Sequence, residues 1–511
     1  MAQPNPPFEL SERRRLRSDT IGDAMDRAID VRHHIGGDWL DSAGGRTYPK
    51  TDPWTGALFA EVAAGDAEDA LAAVTAADAA FPAWSDSLPI ERQQVLLRAA
   101  DALDRRRDEV RGLLAAETGC GVHFAEVQLD FCVNLLRQAA ALAYAPAGQV
   151  LPSDLAGTRA LAIRRPVGVV AAIAPWNASL VLAGRAVVAP IATGNTVVLK
   201  PSEEAPYTGG AFWAALLSEA GLPAGVLNVV THAPGEAGAV AEALIADPRV
   251  RRISFTGSTV TGRRIAETAG RHLKRAVLQL GGHNPLLVLA DAPLDRAVDA
   301  AIYGAFVHSG QTCMCARRII VDRALFDDFA VRFVARAAAL PVGDPTDPAT
   351  VVGPVVNEWA LSLLERRVRE AVDQGARLLT GGVPAGRCFP PTVLADVPPT
   401  SELAFDETFG PVVLLEACDG AEDALRRANA TDFGLTAGII TGDPYRGLDL
   451  ACRLRAGIVH VNDQPVNDQP QMPFGGVKDS GAGRFGIGFA AEEFTEVQWV
   501  SARQEPRRYP F

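Results

Sequence analysis

The chain has 511 residues, 48% hydrophobic and 22% charged, a globular composition too long for one ordinary core, so two or three domains are expected. Its formal net charge of −12 excludes the broad basic face that nucleic acid requires. No apolar run reaches the ~18 residues of a membrane span, and none follows the early arginines as a secretory leader would, so no membrane partner and a cytoplasmic home are expected.

Residues 1–30 read as a polar arm. Its basic cluster, Arg13-Arg14-Arg15-Leu16-Arg17, reads as a solvated terminus before a nucleic-acid grip. Between Ile35 and Asp66 short apolar pieces alternate with turn pairs, which predicts small strands. Ala67–Phe81 and Pro89–Gly119 repeat apolar residues at helical spacing and predict amphipathic helices. From Pro166 the texture changes. Val167–Ile173, Thr196–Leu199, Leu227–Val230 and Arg252–Phe255 are β-rich runs separated by helical segments, which predicts a parallel sheet covered on both faces. The alternation resumes after Pro285 with Leu286–Leu289, Arg318–Val321 and Val412–Leu415, so a second α/β domain is expected. The tail after Ala490 alternates loosely and predicts an edge strand used in assembly.

Seven scattered cysteines make no disulfide framework, and no Cys/His set stands at zinc-site spacing, so no metal is expected. Cys313 follows a polar turn, Gly310-Gln311-Thr312, and precedes Arg317 and Arg318, whose charge would favour a thiolate. The bland alternative is a small buried hydrophobe. Cys315 is a candidate for redox pairing with Cys313, or simply packs. Ala174-Pro175-Trp176-Asn177 ends a buried strand, where ligands of open α/β sheets bind; Asn177 either aims its amide at an oxyanion or is a turn residue. Lys200-Pro201-Ser202-Glu203 ends the next strand. A carboxylate there accepts from ribose hydroxyls and repels a 2′-phosphate, favouring NAD over NADP; the alternative is a solvated pair. Phe255-Thr256-Gly257-Ser258 leads from strand to helix and suits a pyrophosphate at the helix N-terminus, although it is neither a P-loop nor G-x-G-x-x-G.

Together these pieces resemble the aldehyde dehydrogenase superfamily: Pro-Trp-Asn at 175–177, Lys-Pro-Ser-Glu at 200–203, Phe-Thr-Gly-Ser at 255–258, Leu-Gly-Gly-His-Asn-Pro at 280–285 and Gly-Gln-Thr-Cys at 310–313. Glu-Thr-Phe-Gly-Pro at 407–411 and Pro-Phe-Gly-Gly-Val-Lys at 473–478 complete the set, in the family's order over roughly 31–505. Gly-Gly-His-Asn-Pro and the segment 461–468 resemble the aromatic-aldehyde branch, the benzaldehyde and vanillin dehydrogenases. The resemblance implies an α/β fold of two Rossmann-like parallel-sheet domains with a small β oligomerisation element. It implies a discontinuous NAD-binding domain (31–148 and 166–280), a catalytic domain (281–470), and an assembly element (149–165 and 489–505) making a homodimer or homotetramer. It implies that Cys313 attacks the aldehyde to give a thiohemiacetal and then a thioacyl enzyme. Asn177 and the Cys313 N–H hold the oxyanion. Lys200 and Glu203 hold the adenine ribose, Ser258 the pyrophosphate, and Glu407 and Phe409 the nicotinamide ribose. Ala174, Trp176, Ser202, Gly257 and Gly281 border the cofactor. Phe131, Trp176 and Phe474 line a pocket for a flat substrate.

One position departs. Hydrolytic members carry a glutamate before Leu-Gly-Gly; here Gln279 stands there, 34 residues before Cys313. A carboxamide orients a water but takes no proton near neutral pH, and losing a general base costs ~10²–10⁴-fold. Deacylation is therefore in doubt. Gln279 is an introduced near-isosteric change, a natural residue with slow hydrolysis, or the mark of an enzyme that passes its acyl group to a thiol or amine. An inert binding or structural descendant is the remaining alternative.

Overall fold

A computed structural model describes residues 28–145 and 147–511. Most of the N-terminal arm, with its arginine cluster, lies outside the described residues. Two large sheets organise the rest. The first has eight strands in the order Gly481–Ala482, Arg275–Gln279, Val250–Thr256, Val169–Ile173, Thr196–Lys200, Leu227–Val229, His33–Ile35 and Asp38–Leu40. The five from Arg275–Gln279 to Leu227–Val229 run parallel. Every residue of Val169–Ile173 and Thr196–Lys200 is buried, as the unbroken apolar runs predict for strands covered on both faces. The chain starts at Val169–Ile173, steps outward through Thr196–Lys200 and Leu227–Val229, then crosses back to Val250–Thr256. The order reverses between the first and fourth of these strands, a crevice where ligands bind.

The second sheet has seven strands, Arg377–Thr380, Thr392–Ala395, Val412–Cys418, Ala316–Asp322, Asn284–Val288, Thr436–Ile440 and Ile458–Val461, parallel except for the first. A separate three-stranded sheet pairs Thr495–Arg503 with Thr158–Pro166, and Thr158–Pro166 with Gly148–Leu151. Residues 489–493 belong instead to the helix Ile487–Glu493, so the tail becomes a strand only from Thr495, later than the sequence suggests. Ile29–Val31, Thr47–Thr51 and Leu58–Ala63 form another small sheet.

The helix Ala67–Ser85 starts on a capping box: Asp66 Oδ1 accepts from Glu68 N at 2.8 Å, while Asp69 accepts from Asp66 N at 3.1 Å. Pro89–Gly119 is two helices. Pro89–Arg105 ends where Arg106 leaves helical geometry (φ −105°, ψ 20°), and Arg107–Thr118 closes on left-handed Gly119. Periodicity alone does not register the break between them. The following helix, Val122–Leu142, exposes only a narrow stripe (His123, Val127, Asp130, Asn134, Arg137, Ala141) and so shows little polar face in the sequence. Among the described residues no helix is long and apolar enough to cross a membrane.

Candidate active site

A cleft of about 1100 Å³ lies between the two sheets. The first sheet meets it with carboxyl ends of strands: Ala174–Asn177 follow Val169–Ile173, Lys200 ends Thr196–Lys200, Gly257 and Ser258 follow Val250–Thr256, and Gln279 ends Arg275–Gln279. The second sheet meets it with segments that precede its strands: Gly281 before Asn284, Cys313 before Ala316, and Glu407 with Phe409 before Val412.

The loop to Cys313 is backbone held against its preference. His308 (φ 51°), Ser309 (φ 55°) and Gly310 (φ 66°) are three successive left-handed residues. The two that are not glycine cost about 1–3 kcal/mol each. Gly310 has no substitute, since a Cβ there would lie 2.2 Å from the Gly410 carbonyl oxygen. Buried Arg317 offsets the strain by donating to the carbonyls of Gly410 (2.7 Å), Thr312 (3.3 Å) and Gly310. Charge-assisted bonds of this kind contribute ~1.5–3 kcal/mol each. Gln311 adds two more, donating to Pro354 O at 3.3 Å and accepting from Val356 N at 3.0 Å. Asn284, from Gly-Gly-His-Asn-Pro, donates to the carbonyls of Cys313 (2.7 Å) and Cys315 (3.0 Å). The nucleophile candidate is thus fixed on both sides by side chains distant in sequence.

Electrostatics correct one expectation. Arg317 is occupied by loop carbonyls, and Arg318 is paired to Glu416 at 2.7 Å, so neither serves the Cys313 thiol. Burial, then Glu407, Cys315 and Asp468, push that thiol up to about 12; Arg185 opposes them. The resting group is therefore a neutral thiol. Sequence reading missed Arg185. It is buried, paired to Asp468 at 2.6 Å, and its guanidinium carbon stands 4.2 Å from the Phe474 ring centre and 4.7 Å from that of Phe131. Phe474 lines the cleft, whereas Phe131 is not among its lining residues and packs behind Arg185. A lone arginine inside an apolar helix, as in Ser179–Ala192, was the available signal.

Gln279 is buried at the floor, where Nε2 donates to Phe474 O at 3.4 Å. Trp176 and Phe409 meet edge to face, ring centres 5.6 Å apart. Glu407 accepts from Gly282 N at 3.1 Å, and a Cβ on Gly281 would lie 2.2 Å from its other oxygen, so only glycine permits this approach.

At the far end Lys200 Nζ donates to His232 Nε2 (2.5 Å) and Pro201 O (3.2 Å). Nδ1 of His232, bonded to Ala233 O at 3.0 Å, carries that ring's proton. A third ammonium hydrogen remains for the cleft. Ser202 donates to Glu203 at 3.1 Å. Ser258 caps the helix Thr259–Arg271, and the other N-terminal amides of that helix are oriented for an anion. A free ammonium hydrogen, a carboxylate and a helix N-terminus in one cleft fit a dinucleotide, and the neutral thiol stands at the opposite end.

The model of the aldehyde dehydrogenase family matches residues 39–500. Vanillin dehydrogenase of Pseudomonas fluorescens is 45% identical over 482 residues, covering 94% of this chain and all of that protein. The NAD(+) benzaldehyde dehydrogenase of Pseudomonas putida is 41% identical, covering 93% and 96%. The crystal structure of a salicylaldehyde dehydrogenase from Pseudomonas putida G7, complexed with salicylaldehyde, superposes with a TM-score of 0.92 at 37% identity, covering 94% of this chain and all of that one. The chain belongs to the aldehyde dehydrogenase family, whose members use NAD(P), and is an oxidoreductase acting on the aldehyde group.

Proposed function

We propose that the protein oxidises an aromatic aldehyde to its carboxylic acid with NAD, through a thioacyl group on Cys313. The observation that carries this reading is Cys313 and Asn177 on one cleft, with Lys200, Glu203 and Ser258 at its other end. Cys313 Sγ bonds to the aldehyde carbon as its proton leaves, and the Asn177 amide with the Cys313 N–H takes the oxyanion. Bound NAD supplies the hydride acceptor. Trp176, Phe409 and Glu407 keep the reacting carbon and the cofactor's ribose in register and limit water. The Phe474 ring, backed by Arg185 and Phe131, supports a planar substrate, as do the relatives that act on vanillin, benzaldehyde and salicylaldehyde. Glu203 supports NAD over NADP through repulsion of a 2′-phosphate.

In the same reading 31–148 with 166–280 hold the cofactor, 281–470 the nucleophile, and 149–165 with 489–505 join subunits. Exposed Val150, Val497 and Trp499 on the three-stranded sheet support that assembly role. With Gln279 as a non-basic neighbour, hydride transfer outpaces deacylation. Rapid mixing with benzaldehyde and excess NAD should give a burst of one NADH per subunit, then slower turnover, with an acyl mass on Cys313. Acceleration of the slow phase by an added thiol or amine instead of water would favour acyl transfer. No burst, with NAD unbound, would favour an inert descendant.

A further inference from the structure

Hydrolysis of the thioacyl group needs a base that Gln279 does not supply, because a carboxamide has no basic site near neutral pH. Its geometry suits another task. With Nε2 turned to the Phe474 carbonyl, Oε1 is buried and has no hydrogen-bond partner among the described residues. An orphaned buried acceptor of this kind is satisfied by a water O–H.

Among the described residues, the carboxylates lining the cleft are Glu203, Glu242, Glu267, Asp406 and Glu407. Glu203 stands beside Ser202 at the ribose end, and Glu242 and Glu267 lie on the helices Ala237–Ala246 and Thr259–Arg271. Asp406 is paired to Arg367 at 2.6 Å. Asp468, near the thiol, is held by Arg185 at 2.6 Å. Glu407 remains. One of its oxygens accepts from Gly282 N at 3.1 Å; the other, Oε2, lies over Gly281 with no hydrogen-bond partner among the described residues. Gly282 in turn sits on the nucleophile's backbone, since a Cβ there would lie 3.0 Å from Cys313 O. Residues 279–282 therefore carry the amide of Gln279 at one end and touch both Glu407 and Cys313 at the other.

We propose that Glu407 is the general base of deacylation, with Gln279 holding the water. This rests on the reading of Cys313 as the nucleophile. The water donates one O–H to Gln279 Oε1. Its oxygen bonds to the thioacyl carbon as the other proton passes to Glu407 Oε2. The carbon–sulfur bond then breaks, Cys313 takes the proton from Glu407, and the carboxylic acid leaves, so no oxidant or reductant is consumed. The resemblance also puts Glu407 at the nicotinamide ribose, so Oε2 serves the ribose first and the water after the reduced cofactor withdraws. Burial pushes the Glu407 carboxyl up to about 7, with Asp406 adding and the Gly282 N–H, Arg317 and Arg367 opposing. A group poised there both accepts and returns a proton near neutral pH.

p-Nitrophenyl acetate acylates a cysteine without cofactor, which separates this role from cofactor binding. The wild type should release one nitrophenolate per subunit in a burst, carry an acetyl mass on Cys313, and continue at a rate set by deacylation. Glu407→Gln should keep the burst and slow the steady phase about 100-fold, and adding Gln279→Glu should restore it. Wild-type deacylation should rise with pH as Glu407 ionises, through an apparent pKa near 7, and then level off. An unchanged steady phase in a Glu407→Gln protein that still bursts overturns the proposal. If that variant gives no burst, a wild-type profile that climbs with hydroxide and never levels overturns it. A wild type with neither burst nor acetyl mass at Cys313 removes the nucleophile reading itself, and this inference with it.

Discussion

The two sheets build opposite ends of one cleft by opposite means. The sheet with Val169–Ile173 at its switch point offers the carboxyl ends of its strands, where Lys200 ends its strand and Asn177 and Ser258 follow theirs within a few residues. That half obeys the rule for open α/β sheets, so each ligand-facing residue is announced by the strand before it. The other sheet offers amino ends. Cys313, Glu407 and Gly281 precede their strands and are set by bonds from elsewhere: Arg317 to three carbonyls, Asn284 to the Cys313 carbonyl, Gly282 to Glu407. On the proposed reading, the difference separates a modular binding half, local in sequence, from a clamped chemical half that exists only when the loops meet.

If the halves are separable, substitutions should divide cleanly between chemistry and binding. The largest effect is expected at Cys313. Cys313→Ala should lower aldehyde oxidation roughly 10⁴-fold or more. The NAD dissociation constant, followed by fluorescence titration, should stay within about twofold because the cofactor contacts lie at the far end. A tenfold loss of NAD affinity in that variant would break the division. Next comes Gln279→Glu, which places a carboxylate on the floor of the chemical half. Steady turnover should rise by roughly 10–100-fold, because a base at that position need not wait for the reduced cofactor to leave Glu407, and the NADH burst should merge into it; stopped-flow traces at saturating NAD decide. The smallest effect is expected in the binding half. Glu203→Gln weakens hydrogen bonds to a ribose by roughly 1.5 kcal/mol, so KM for NAD should rise about tenfold with kcat unchanged. The ratio of NAD to NADP efficiency should fall with it. A drop in kcat of similar size would mean that the ribose contacts also position the nicotinamide.

Within the candidate site, legibility follows the same line. Lys200, Glu203 and Ser258 were picked out as cleft residues because each stands at or just after the end of a buried strand, and the structure does put them on the cleft. Gln279 was readable as a chemical anomaly from its spacing to Cys313. The help expected from Arg317 and Arg318 was misplaced, because proximity in sequence does not say which way a guanidinium turns; one satisfies strained carbonyls and the other pairs with Glu416. Phe131 is set back from the cleft for a similar reason: its helix is buried nearly all round, so periodicity does not choose which face meets the substrate.

By itself, the sequence determined the α/β class, the runs that become buried parallel strands, and the cysteine that we propose as the nucleophile. Alternation, apolar content and short motifs are local properties of the chain. Only the tertiary structure decided that the Gly282 peptide meets both Glu407 and the Cys313 carbonyl, that Arg185 lies between Phe131 and Phe474, and that Gln279 Oε1 has no hydrogen-bond partner among the described residues. Those are relations between segments tens to hundreds of residues apart. Burial, which moves the Cys313 thiol and the Glu407 carboxyl so far from their ordinary values, arises only when the two sheets close on each other.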